Sequence, residues 1–544
     1  MLASGTTNAS EASHVRLTSP SNVRAALMKR REIALLDVRE EAIHAEGHPL
    51  FAANLSLSRL EIEAYPRLPR RDVPIVLLDD GEGYAAVAAE RLTRLGYSDV
   101  SLLEGGLQGW RDAGFEVFRD VNSPSKAFGE LVETKRHTPS LPAEEVQRLI
   151  QSNADVVIVD VRRYDEFQTM SIPTAISTPG AELVYRLQDL AKHPTTRVIV
   201  NCAGRTRSII GTQSLINAGL PNQVCALRNG TIGWKLAEQA LDRGASRIMP
   251  APDDDARARA AASARRVADA AHVGRASLAQ AREWATRATC TVYLFDVRTP
   301  EEFVAGHVPG FRCAPGGQLV QETDMFAPVR GARIVLADTD GARANMTASW
   351  LAQMNWEVYV TEPLNTDEMT VHGQEDSLSP SLPEVPESKM IAPVTLASWT
   401  ESSDPRTTIF DFTPSRQYLK GHIPRAQFAL RSNLSEALAK NDDAARFVVT
   451  AFSDVVARLA WAELSSLTQK PVYLLAGGNA GWQAAGYQVN AQPVAFASQP
   501  LDYYRRPYEG TDASPATMQA YLDWEFGLVD QLERDGTHGF WVLP

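Results

Sequence analysis

Cysteine is scarce in this chain of 544 residues. There are four, Cys202, Cys225, Cys290 and Cys313, with no CxxC pair and no Cys/His ligand spacing. Neither a disulfide framework nor a zinc site is therefore expected, and the thiols should stay reduced, the state in which a thiol is a nucleophile. Basic excess is missing too: 54 basic against 66 acidic side chains leave a net charge of −12, which repels nucleic acid and anionic membrane unless a local patch reverses it. The one Arg-rich stretch, Ala256 to Arg266, is Ala-rich as well and reads as a short surface helix. No apolar run reaches about 18 residues, and the opening MLASGTTNASEASHV has neither a basic start nor an apolar core, so a cytoplasmic location is the default expectation. With 44% hydrophobic and 22% charged residues, a disordered or fibrous chain is excluded. Nothing calls for a metal or a cofactor.

What the chain has instead is internal repetition. At about 150 residues per domain its length suggests three to five domains, and four related segments are visible. Each has an apolar strand ending in Asp, a short helix and often Gly-His-x-Pro: LLDVREEAIHAEGHPL from Leu35, VIVDVRRYDEFQTMSIP from Val157, LFDVRTPEEFVAGHVPG from Leu294 and IFDFTPSRQYLKGHIPR from Ile409. The anchors are Asp37, Asp160, Asp296 and Asp411. A second strand follows in each, VPIVLL, RVIVN, ARIVLA and RFVVTAF, apolar on both faces, as a central parallel strand covered on both sides must be. Helices with apolar residues at three and four spacing come next, two of them stopping at Gly96 and Gly219. Three copies close on a Gly-rich signature ending in Trp110, Trp234 or Trp482; the third lacks it.

The expected fold is α/β: four tandem units, each a mainly parallel central sheet flanked by helices. Their bounds are 14–119, 140–248, 273–365 (truncated) and 394–490, followed by a helical extension at 491–544. Linkers at Asp120–Pro139, Met249–His272 and Thr366–Pro393 separate them. In the extension, SPATMQAYLDWEFGLVDQLERDG has one apolar face and should pack back onto a domain. Asp37, Asp160 and Asp296 with Arg39, Arg162 and Arg298 are expected as structural pairs, His48, His307 and His422 as turn residues, and the three tryptophans as core closures.

In open α/β sheets ligands bind beyond the carboxyl ends of the strands, where the turn into the next helix offers free N–H groups. The residue 42 positions after each anchor opens that turn: Asp79, Cys202, Asp338 and Ser453. In the fourth copy Ala451 is the alternative alignment. Only the second copy has a thiol there, in Cys202-Ala203-Gly204-Arg205-Thr206-Arg207. A loop curled around its first side chain directs N–H groups at one point and adds the positive end of a helix. With Arg205 and Arg207 nearby, the thiol is expected below its free value of about 8.5 and largely ionised near neutral pH. Cys225, Cys290 and Cys313 read as packing.

The DVR strand, the GHxPG turn, the Cys-led six-residue loop and the GGxxGW ending together resemble the rhodanese homology domain, over about four-fifths of the chain. The resemblance implies a sulfurtransferase in which the cysteine takes a sulfane sulfur from an anionic donor, thiosulfate or a small persulfide, and passes it to a thiol, cyanide or another nucleophile. Glutathione and thioredoxin-like proteins are candidate acceptors. Cys202 would be the nucleophile and persulfide carrier. Ala203, Gly204, Arg205, Thr206 and Arg207 would bind substrate through their amides and the two guanidinium groups. The second copy departs from the family pattern at Met170-Ser171-Ile172-Pro173, where Pro179, Gly180 and Glu182 could line the mouth. The other three copies are expected to be inactive. Two other classes of function remain: a scaffold, since three copies lack the nucleophile, and a phosphatase, which needs Cys-x5-Arg, whereas here the arginine comes one position early.

Overall fold

The computed structural model describes residues 15–287, 289–374, 380–401 and 406–544. The N-terminal stretch 1–14 and part of the 366–393 linker lie outside them. Four sheets form, with the same strand order in each. In the second unit the order is Ser140–Leu141, Val224–Leu227, Arg197–Asn201, Val156–Asp160 and Ile176–Ser177, all parallel. Arg197–Asn201 lies at the centre of the sheet, and four of its five residues are buried, which explains its unbroken apolar sequence. The first sheet gains an antiparallel strand from the third unit, Val329–Arg330, which pairs with Ile33 and Ala34.

A buried clamp sets the turn after the anchor-bearing strand in three of the four units. Arg162 donates through Nε and a terminal nitrogen to the two Asp160 oxygens, at 2.9 and 2.7 Å, and reaches on to the Met170 carbonyl at 2.7 Å. Asp37–Arg39 and Asp296–Arg298 repeat the clamp onto the carbonyls of Gly47 and Gly306. Because the last contact is to backbone, Met170 can stand where the other copies have glycine. The fourth copy has Thr413 in place of the arginine, and Asn479 donates to Asp411 instead.

Strand register corrects one expected equivalence. Asp37, Asp160 and Asp296 pair with Leu78, Asn201 and Ala337, so Asp79, Cys202 and Asp338 follow directly. Asp411 pairs with Thr450, so the fourth counterpart is Ala451, not Ser453: the connection from the anchor to that strand is two residues shorter. Arg458 pairs with Asp454 on its own helix.

Two expected linkers are structural elements. Ser123–Arg136 is a 14-residue helix burying Ala127, Phe128 and Val132. Asp254–Ala270 is a 17-residue helix, capped by the Asp253 side chain, that buries Ala256, Ala260, Ala264 and Ala268. One face is exposed, as expected, and alanine at every fourth position makes the other a smooth face that can lie close against its neighbours. The extension forms helices Pro515–Phe526 and Leu528–Asp535. It straps the units together: the Leu501 carbonyl accepts from Ala42 N–H, Tyr504 N–H donates to Glu41, and Trp541 N–H donates to the Gln353 carbonyl. No helix among the described residues is long and apolar enough to cross a membrane.

Removing one partner of a buried ion pair leaves the other charge uncompensated. Asp296→Ala should therefore destabilise the third unit by about 3–5 kcal/mol, read as early loss of hydrogen-exchange protection in Val292–Asp296 and Arg333–Ala337. Unchanged protection would refute the clamp.

Candidate active site

Cys202 stands at the carboxyl end of the central strand, one residue before the chain turns toward helix Thr206–Asn217. The loop is held close to the next turn. Cys202 and Ala203 carbonyls accept from Thr231 and Ile232 N–H at 2.9 and 3.0 Å. Gly230 makes this approach possible: its φ is +54°, and a Cβ there would lie 2.4 Å from the Cys202 carbonyl oxygen. Gly106 and Gly478 meet Asp79 and Ala451 in the same way, which is the physical content of the Gly-rich signature. The third copy has a different sequence and keeps the contact through Leu364 N–H to the Asp338 carbonyl.

The sister loops reveal what these amides hold. Asp79 accepts from Gly81 and Ala85 N–H at 3.1 and 2.9 Å. Asp338 accepts from Gly341 and Ala344 N–H at 2.8 and 2.7 Å. Burial and the neighbouring Asp340 push Asp338 up to about 8. The second-unit counterpart of Ala85 and Ala344 is Ser208, whose N–H and hydroxyl both face the Cys202 sulfur and favour its ionised form. The thiol donates to Ser208 Oγ at 3.4 Å, and that hydroxyl donates to the Arg205 carbonyl at 2.9 Å.

The expectation of an acidified thiol is overturned. Cys202 is 1% exposed, and burial pushes its pKa up, against the opposing pull of Arg207 and Ser208. The two arginines are not free cations. Arg205 is locked onto both Glu130 oxygens at 2.8 Å, onto Glu133 and onto Asn229, beneath the Phe526 ring. Arg207 grips Glu166 at 2.8 and 3.0 Å. Burial alone would raise Glu166, but Arg207 brings it down to about 2. Of the remaining loop residues, Ala203 packs with the extension, Gly204 lies against Tyr521 and Glu525, and Thr206 opens the helix. Pro179, Gly180 and Glu182 line a separate chamber, described below. Cys225 is buried, and Cys290 and Cys313 are half-buried.

What covers the sulfur comes from far away in sequence. A cavity of about 20 Å³ is enclosed by the loop together with Lys126, Gln321, Tyr508, Tyr521 and Glu525. Tyr521 donates to Glu525 Oε1 at 3.1 Å, while Glu525 Oε2 is buried without a partner. Burial and the charge of Glu130 push Glu525 up to about 8. None of these residues was singled out from sequence. The available signal was Glu525 on the same face as Met518, Tyr521 and Leu522, a carboxyl on the apolar side of its helix. A polar chamber of about 460 Å³, between the units and the extension, meets this cavity at Arg207, Gln321 and Tyr508.

A family model described as the rhodanese-like domain matches residues 19–113, 142–237, 277–362 and 395–485. The whole chain is similar to the crystal structure of a thiosulfate sulfurtransferase from Pseudomonas aeruginosa, at 58% identity and a TM-score of 0.94, covering 97% of this chain and 100% of that one. Among curated proteins, an HTH-type transcriptional regulator of Mycobacterium tuberculosis is 33% identical over 91 residues, 17% of this chain. The chain spans 39% of the regulator's length.

Glu525 ties the cover to pH. Its carboxyl rises from 4.5 to about 8 on folding, so the helix seats best below 4.5 and loosens as pH climbs toward about 8, where seating requires a proton the free side chain has lost. Hydrogen exchange of Pro515–Phe526, corrected for intrinsic rates, should speed up across that window. Glu525→Gln should abolish the dependence; an unchanged profile in the variant would exclude Glu525 as its source.

Proposed function

The chain belongs to the rhodanese-like family and is a sulfurtransferase, and from that premise we propose that Cys202 carries the sulfur. The Cys202 thiolate attacks the outer sulfur of thiosulfate or of a small persulfide. A sulfur–sulfur bond forms to Cys202, the donor's own sulfur bond breaks, and sulfite or a thiolate leaves with the electron pair. A thiol or cyanide then attacks the outer sulfur of the persulfide, and Cys202 departs as thiolate.

The observation that carries this reading is the pair of aspartates on the sister loops. Where Asp79 and Asp338 place carboxyl oxygens on the amides, the second copy places a sulfur, so the same N–H groups are available to a negative persulfide. The cavity beside Cys202, about 20 Å³, has room for roughly one water-sized group, which suits one added sulfur atom. Amides from Ala203 to Arg207 form the cradle. Arg207 is the cation whose charge favours the thiolate, and the Arg205 side chain anchors the loop through Glu130. The donor has its approach through the polar chamber, whose wall carries Arg416, Lys420 and Arg506 beside Glu322, Asp324 and Glu509. The thiol ionises when the extension lifts and water reaches it, since burial is what raises it. Units 14–119, 273–365 and 394–490 are non-catalytic in this reading, having Asp79, Asp338 and Ala451 at the carrier position. The phosphatase and scaffold readings are not favoured: Arg207 is one residue too close to the cysteine for the former, and whole-chain similarity to an enzyme speaks against the latter.

Treatment with thiosulfate should add one sulfur atom to the Cys202 peptide, seen by mass spectrometry. Cys202→Ser should take up none and lose transfer to cyanide by roughly 10³-fold or more; full turnover in that variant would overturn the assignment. Arg207→Ala removes the cation that favours the thiolate, so its rate of persulfide formation should need a higher pH than wild type. A pH–rate profile that stays put would count against Arg207.

A further inference from the structure

The four units pack as two pairs through the same segment, and the pairs differ in what fills the contact. In the first and fourth units, Ser58 and Ser432 lie 3.2 Å apart. Beside them, Arg431 fills the interface, gripping Glu61 and Glu463 and donating to the Ser58 carbonyl. In the second and third units Gly180 and Gly317 meet there, and a Cβ on Gly317 would lie 3.3 Å from the Gly180 nitrogen. By strand register, Leu57 and Arg431 of one pair correspond to Gly180 and Gly316 of the other.

Without those side chains a chamber of about 370 Å³ remains between the second and third units, a size ordinary for small-molecule sites. Phe128, Val184, Ile210, Val320, Met346 and Trp350 form its wall. The arginines on that wall are committed: Arg163 to Asp165, Arg207 to Glu166 and Arg298 to Asp296. Three lining residues each have a polar atom buried without a hydrogen-bond partner, Thr206 Oγ1, Gln321 Oε1 and Thr347 Oγ1, and Thr347 is 2% exposed. Thr206, Arg207 and Gln321 also line the cavity of Cys202.

We propose that this chamber binds the apolar body of a small uncharged thiol, the sulfur acceptor. The inference rests on Cys202 as carrier. An apolar wall with committed arginines would strip water from a charged donor without replacing it, whereas an aromatic or alkyl group gains from burial. The three unpartnered atoms meet the few polar groups such a molecule carries. Its thiol, at the Thr206–Gln321 end, attacks the outer sulfur of the Cys202 persulfide. The new sulfur–sulfur bond forms on the acceptor, the bond to Cys202 breaks, and the acceptor's proton ends on the Cys202 thiolate. The acceptor leaves as a persulfide anion, so charge and atoms balance.

Thioanisole, an uncharged aryl sulfide that cannot accept sulfur, is the probe. Calorimetry should show it binding the full-length protein and Cys202→Ser alike, and Val320→Trp, which fills the chamber, should weaken binding roughly tenfold or more. Thermal unfolding of Val320→Trp checks its fold, and Ile210→Trp serves as a second filler. As acceptors at matched concentration of the uncharged thiol, phenylmethanethiol should exceed 2-mercaptoethanol in kcat/KM by about tenfold, and the advantage should vanish in the filled variants. Absent binding, or equal binding by folded filled variants, overturns the chamber. Intact binding together with full turnover in Cys202→Ser overturns the carrier and leaves the chamber standing.

Discussion

Backbone N–H groups gathered at one point need a hydrogen-bond acceptor, and the arrangement of this protein follows from how each copy supplies it. The first and third copies supply their own, with Asp79 and Asp338 seated on the amides of their loops. The fourth has Ala451 there. In the second, the partner is the sulfur of Cys202, for which the carrier role is proposed. One backbone device thus serves as a self-satisfied structural turn or as a place for chemistry, according to a single side chain.

Burial sets the terms for that chemistry. A thiol in the open would ionise easily but leave its persulfide exposed to any passing nucleophile. Here Lys126, Gln321, Tyr508, Tyr521 and Glu525 close over it, and the same burial raises the thiol's pKa. In the proposed mechanism, ionisation of the sulfur is therefore tied to displacement of the helix that covers it. Glu525 adds a second proton-dependent group at the same contact, with its own carboxyl raised to about 8.

The cysteine-less copies have physical work to do whether or not they bind anything. The third contributes Gln321 to the cover and one wall of the apolar chamber, and its strand Val329–Arg330 extends the first sheet. The fourth hands the chain to the extension, which crosses the first unit before reaching the loop of the second. Repetition has supplied two interfaces of common geometry: one is filled by Arg431 and its carboxylates, while the other is left open by glycine.

The repeats, the parallel sheets and the one thiol at the turn were legible in the sequence because each is a local pattern. Two-faced apolar strands, a fixed offset from an anchor and an Asp two residues before an Arg need no knowledge of the rest of the chain. Where locality failed, so did the reading. Ser453 stood in for Ala451 because a count cannot detect a connection two residues short, which strand register does detect. Arg205 and Arg207 read as free cations because Glu130 and Glu166, 75 and 41 residues away, have no sequence signature as their partners. The acidity of Cys202 was misjudged for the same reason. A pKa depends on what excludes water, and the helix that does so lies more than three hundred residues on, brought there only when four cores pack together and the extension is drawn across them.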